Sequence, residues 1–184
     1  MSCLSAPRHA ANDESNYASG EDFRKLFTRD VNSLYLLSLL LTADHKKAEQ
    51  CFLAALDDCI NGSPVHHDRA HSWARRVIIR NAIRMMAPRC DAAAPVPGSL
   101  HSARSDRLPK MPMEFVSFAP VFCLEPFERF VYVLSVLESY SKQECAALLG
   151  ASLSEIRKAR VRAFEQIADC EQPVAVPANG VSCE

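Results

Sequence analysis

Residues 141–168 read SKQECAALLGASLSEIRKARVRAFEQIA, and no other stretch limits the fold as tightly. Ser141 stands before an apolar helical run, with Glu144 three residues later. A serine hydroxyl at that place accepts from the third helical N–H while the glutamate reaches back to the serine N–H, a capping box. Cys145, Ala146, Leu148 and Leu149 are apolar, and Gly150 ends the run. Ser152 and Glu155 repeat the box. Ile156, Ala159, Ala163, Phe164 and Ile167 then lie on one face of a second helix. Two short capped helices with a glycine turn between them predict a helix-turn-helix unit.

The rest of the chain reads as helical too. There are only 5 glycines in 184 residues, where ordinary usage would give roughly thirteen, and an all-β fold needs many glycine turns. Phe23, Leu26, Phe27, Leu34, Leu37 and Leu41 recur at helical spacing, and Ser19 with Asp22 forms a further capping box. A helix is predicted over 21–41, and Thr42-Ala43-Asp44 breaks it. The next, over 46–60, carries Ala48, Cys51, Phe52, Ala55, Leu56, Cys59 and Ile60 on its apolar face. Gly62 is expected as its left-handed stop, with Pro64 beyond. A third helix over 69–86 carries Trp73, Val77, Ile78, Ala82, Met85 and Met86. Pro126 opens a helix over 126–138, followed by the capped pair at 142–149 and 153–169.

Between these blocks Pro88, Pro95, Pro97, Pro109, Pro112 and Pro120 hold the residues before them out of the α region. The organisation expected is all-α: two small helical domains, 20–87 and 124–170, joined by a Pro-rich linker over 88–123. Disordered tails are expected over 1–19 and 171–184. The linker's second half, with Met111, Met113, Phe115, Val116, Phe118, Val121 and Phe122, is apolar enough to pack against something.

The apolar run at Leu34–Leu41 is far shorter than the ~20 residues that cross a bilayer, so no membrane insertion is expected. The first residues lack the apolar segment of a secretory signal, which points to the cytoplasm. With a net charge of −1, a globally basic nucleic-acid protein is excluded and a locally basic one is not. The 8 cysteines include no CxxC pair, so they read as reduced thiols serving as small core residues, with no metal site. His66, His67 and His71 lack a neighbouring cysteine or carboxylate pair. No phosphate loop, zinc-protease motif or nucleophile elbow occurs. Catalytic residues, cofactors and enzymatic activity are therefore not expected.

Charge is concentrated in two places. The second helix of the capped pair carries Arg157, Lys158, Arg160 and Arg162. Its first turns, from Ser152, Ser154 and Glu155 onward, can enter a major groove about 12 Å wide, where cations reach phosphates or guanine edges. Residues 66–89 carry Arg69, Arg75, Arg76, Arg80, Arg84 and Arg89 against the single acid Asp68.

At these residues the chain resembles the sigma factors of bacterial RNA polymerase, of the short extracytoplasmic-function (ECF) type. Tyr140 to Arg160 is similar to that family's L-S-x-x-E-I-A-x-x-L-G-x-S-x-x-x-V-[KR]-x-R, and Leu124 to Val131 to its L-P-x-x-x-R-x-V. Leu34 to Asp44 is similar to L-Y-x-x-A-x-x-x-T-G-D, Ala48-Glu49-Gln50 to A-E-D, and Trp73 to Asn81 to W-L-x-R-I-A-x-N with one extra residue. The resemblance covers about 21–87 and 124–168. It departs where Leu53 and Ala54 replace a glutamine and an acidic residue, and where the late arginine of the second capped helix falls at Ala159 or Arg160.

The resemblance implies a region 2-like first domain and a region 4-like second domain. It also implies promoter DNA and core RNA polymerase as partners, with an anti-sigma factor as a further one. Glu49, Gln50 and Leu53 would face polymerase. Trp73, Arg76 and Arg80 would hold single-stranded DNA, cations for the backbone and an aromatic face for bases. Two alternatives stand beside it: a helix-turn-helix regulator acting without polymerase, and a degenerate sigma-like interaction module.

Overall fold

The computed structural model describes residues 16–89 and 117–171. The tail residues 1–15 and 172–184, and linker residues 90–116, lie outside that range. The described residues are mostly α-helical, in agreement with an all-α chain.

The N-terminal block opens with strand β1 (Tyr17–Ala18), followed by helices α1 (Gly20–Arg29), α2 (Val31–Thr42) and α3 (His45–Asn61). Strand β2 (Val65–His66), a 3-10 turn at His67–Arg69 and helix α4 (Ala70–Met86) complete it. Strands β1 and β2 pair antiparallel, Tyr17 opposite His66 and Ala18 opposite Val65. This ribbon was not expected, and it takes Tyr17 and Ala18 out of the N-terminal tail. Ser19 caps α1 as its spacing predicts: its hydroxyl accepts from Asp22 N–H at 3.3 Å and its own N–H donates to Asp22 Oδ2 at 2.8 Å.

The single helix expected over 21–41 is instead two. Asp30 leaves helical geometry at φ −104°, ψ 23°. Arg29 grips its carboxylate with two bonds of 3.0 and 2.8 Å. The apolar rhythm also lapses between Phe27 and Leu34, leaving Val31 exposed. Helix α3 ends where expected, but Gly62 is not left-handed. It is extended, at φ −81°, ψ −171°, and a Cβ there would lie 2.5 Å from the Asp58 carbonyl oxygen. Glycine serves that turn by letting the backbone come close.

Helix α2 packs on α3 and α4 within its block and on α6 beyond it. It is apolar around most of its circumference and correspondingly buried, Leu39 and Leu40 included. Its buried hydroxyls are satisfied within the helix, Ser38 Oγ donating to Leu34 O at 3.1 Å and Thr42 Oγ1 to Ser38 O at 2.8 Å. Asn81, also buried, ties α4 to α3 through Asp58 Oδ2 at 2.9 Å. Cys51, Cys59 and Cys145 are buried free thiols, as read from their apolar positions. Burial pushes the Cys51 thiol up to about 11 and that of Cys59 to about 12. Both therefore stay protonated at neutral pH and act as packing residues.

The C-terminal block comprises α5 (Ala119–Phe122), α6 (Pro126–Tyr132), α7 (Lys142–Leu149) and α8 (Leu153–Glu171). Val121 and Phe122, placed by sequence in the linker, are buried, and α5 packs on α8. Helix α6 widens into a π turn over Val133–Leu137, and Ser139 then takes a positive φ of 59°. The two blocks meet in a continuous core that joins Leu34, Leu41 and Ile78 with Phe127, Phe130 and Leu134. Two arginines bridge this seam. Arg129, 5% exposed, donates from Nε to Leu41 O at 3.4 Å and from Nη1 to Leu124 O at 3.1 Å. Arg75 on α4 donates from Nε to Glu138 Oε2 at 2.8 Å and from Nη1 to Ser33 Oγ at 2.9 Å.

No described helix is long and apolar enough to cross a membrane.

Candidate nucleic-acid interface

Three residues, Gly150 to Ser152, connect α7 to α8. Gly150 sits at φ +63°, and its N–H donates to Ala146 O. That left-handed cap is one a Cβ-bearing residue adopts only with strain. Ser141 caps α7 reciprocally with Glu144, through bonds of 2.8 and 3.2 Å. At the start of α8, Ser152 N–H donates to Glu155 Oε2 at 2.7 Å and Glu155 N–H to Ser152 Oγ at 3.2 Å. Both boxes hold the geometry their spacing predicts. Ser141's hydroxyl and N–H, with Arg76 a smaller influence, hold the Glu144 carboxyl below the usual range.

The inner face of α8 is Ile156, Ala159 and Ala163, none of them exposed at all. Packing that face against α6 turns Ser152, Ser154, Arg157, Lys158 and Val161 outward, all of them exposed. Ala159 and Arg160 differ in depth. Ala159 points into the core, and Arg160, half-buried, lies with its guanidinium 5.7 Å from the centroid of the Phe164 ring. Arg162 departs from expectation. Its Nε and Nη2 both donate to Glu128 Oε1, at 2.8 and 2.5 Å. Glu128 on α6 is only 7% exposed. A buried carboxylate needs its cation, so Arg162 is held to its own block, Arg157 and Lys158 are the fully outward cations, and Arg160 stays half-buried beside Phe164.

On α4 the expected site residues separate by depth. Arg76 and Arg80 are exposed. Trp73 packs half-buried against the core, and its indole Nε1 is buried without a hydrogen-bond acceptor. Arg75, next in sequence to Arg76, is committed to Glu138. On α3, Glu49, Gln50, Leu53 and Ala54 are all exposed, Leu53 at 54%. Phe52 and Leu56 turn inward, Phe52 packing edge-on to Phe27 with ring centroids 5.1 Å apart. Leu53 is thus free of the core.

His66, His67 and His71 line the outer rim of the N-terminal block. His66 stacks on Tyr17 with centroids 4.4 Å apart. His67 and His71 lie 3.9 and 3.7 Å from carboxylate oxygens of Asp22 and Asp30. Among the described residues, no group of three His, Cys, Asp or Glu side chains is arranged to hold a metal ion.

Sequence reasoning missed Glu128, Arg129 and Glu138. The partners of Glu128 and Glu138 lie 34 and 63 positions away, and Arg129 reaches Leu41 across 88. No local pattern signals such pairs. No protein-family model matches the chain, and no curated protein matches it.

Proposed function

We propose that this chain is a sigma-like transcription initiation factor, with a helix-turn-helix at α7–Gly150–α8 that meets duplex promoter DNA. The observation carrying this reading is the doubly capped pair, whose packing leaves Ser154, Arg157 and Lys158 exposed on α8, beside the exposed cap residue Ser152. A helix presented this way, with cations beside its N-terminal turns, fits the major groove. In this reading the two helical blocks are two domains. The first holds core polymerase through Glu49, Gln50 and Leu53, and meets single-stranded DNA through Trp73, Arg76 and Arg80. No catalytic chemistry is assigned to the chain.

The test is salt-dependent binding of duplex DNA by the full chain. Affinity should fall steeply with salt, since cation–phosphate contacts release counterions. Replacing Arg157, Lys158 and Arg160 together by Ala should flatten the slope of log K against log salt by roughly 0.9 for each phosphate no longer neutralised, about 2 to 3 in all. An unchanged slope would remove α8 as the DNA-contacting helix. Arg162→Ala should act differently, lowering the melting temperature because it leaves Glu128 buried without its cation.

Polymerase association is tested at Leu53. Its side chain lies outside the core, so Leu53→Asp should leave the thermal melt within about 0.5 kcal/mol of the original. Apolar burial of a leucine is worth about 1.5–3 kcal/mol. Capture of core polymerase should therefore weaken by roughly tenfold or more. If the original chain captures no polymerase, the reading shifts to a helix-turn-helix regulator acting alone. A chain that binds neither polymerase nor DNA would be the interaction module.

A further inference from the structure

We propose that the outward face of α8 pairs antiparallel with the same face of a second copy of this chain, about a two-fold axis. Among the described residues, α8 is the one helix with more than one large apolar side chain left exposed: Leu153, Val161 and Phe164. Val161 is 56% exposed and Phe164 45%. Ile156, Ala159 and Ala163 already fill the inner face, and Val161 takes no part in the core of its own block. The spacing is that of a coiled-coil seam. Arg157, Val161, Phe164 and Ala168 follow one another at steps of four, three and four, the a and d positions of a heptad, and all are exposed. Phe164 is held edge-on to Tyr132 with ring centroids 5.6 Å apart, so little side-chain freedom is lost when it is covered.

Charge selects both the occupant and its orientation. A parallel pair would set Arg157 against Arg157 of the other copy, two like charges in the seam. In the antiparallel pair an a position meets a d position. Val161 then covers the second copy's Phe164, and the long stem of Arg157 crosses the small Ala168. The flanking positions bring Lys158 beside the second copy's Glu165, and Glu165 beside its Lys158. Both residues are exposed, and neither makes an ion pair with a described residue. The face is thus complementary to itself in charge as well as in shape, as a two-fold contact requires. The seam from Arg157 to Ala168 is only about three helical turns long. Its area is below that of a permanent dimer, so association at roughly 10–100 μM is expected.

Sedimentation equilibrium of the full chain, run from well below to well above that concentration range, measures the association. Reducing conditions keep disulfides between copies from contributing. The apparent mass should rise from 20.4 kDa toward twice that value. Val161→Glu should stay monomeric throughout with an unchanged melt, because the side chain lies outside the core. Lys158→Glu and Glu165→Lys, each by itself, should weaken association by about tenfold, since each turns both flanking contacts repulsive. An equimolar mixture of these two variants should associate as strongly as the original chain, because opposite charges then meet at both contacts. The proposal is overturned by a chain that stays monomeric over the whole range, or by association that survives Val161→Glu. It is also overturned by a mixture of the charge variants that associates no better than either one alone. Arg157 and Lys158 are assigned above to duplex DNA, and under that reading pairing and DNA binding exclude one another. The sedimentation test contains no DNA, so its failure and the failure of duplex binding by α8 are separate results.

Discussion

Ala159→Arg is expected to unfold the C-terminal block or bring it close to unfolding. Ala159 is completely buried between Ile156 and Ala163, on the face of α8 that packs against α6. An arginine there meets two penalties. Extra volume in a filled core costs about 1–3 kcal/mol, and a buried polar or charged group without partners adds several more. The sum, on the order of 4 kcal/mol, corresponds to a fall of roughly 10 °C or more in melting temperature for a chain of this size. Arg160→Ala is the matched control. It removes a guanidinium that lies over Phe164 near the surface, an interaction worth about 0.5–1 kcal/mol, and should melt only slightly below the original chain. A normal melt for Ala159→Arg would mean that α8 does not present this face to the core. Under the sigma-like reading the pair has a functional consequence as well: the late basic residue is Arg160, and moving it back one position places it inside the protein.

The same contrast separates what the sequence discloses from what it conceals. The three capping boxes were readable because each is closed within four residues, and Ser19, Ser141 and Ser152 all bond as their spacing requires. The inner face of α8 was readable because helical periodicity is also local. The outward position of Leu53 follows from the inward claims of Phe52 and Leu56 on the same helix. Features joining distant segments were not accessible in this way. The β1–β2 ribbon pairs residues almost fifty positions apart, two on each side, too few for a strand pattern to register. The break at Asp30, where Arg29 bonds the carboxylate, was not legible either, because the polar spacing alone is compatible with one continuous helix. Arg162 looked like one more outward cation, because nothing in α8 discloses that Glu128 lies buried opposite it. Leu39 and Leu40 exceed the apolar stripe that a helix in a four-helix block needs, and their burial follows from α2 also touching α6. In the candidate interface, therefore, residue type and helix face were legible. Which cations are already paired was decided by tertiary contacts.

Arg129→Met should show how firmly the two blocks are joined. The Leu41 carbonyl belongs to the last turn of α2, where the helix itself supplies no donor, and Arg129 Nε reaches it at 3.4 Å. The shorter bond, 3.1 Å to Leu124 O, fixes the chain just before α6. Methionine has a similar stem and fills much of the same space, so packing changes little, and the loss includes the bonds to these two acceptors. Each carbonyl left buried and unsatisfied costs about 1–3 kcal/mol. The longer bond sits at the lower end of that range, giving a total of about 2–3 kcal/mol. Urea unfolding followed by helical circular dichroism and by Trp73 emission would measure it. The midpoint should move to lower urea in both signals. Trp73 lies in the N-terminal block, whereas circular dichroism follows both blocks. If Arg129 couples them, the two signals should give one coincident transition in the original chain and separate transitions in the variant. An unchanged midpoint would mean that water reaches the Leu41 and Leu124 carbonyls once the guanidinium is gone, leaving the apolar seam around Phe127, Phe130 and Leu134 to join the blocks without help from Arg129.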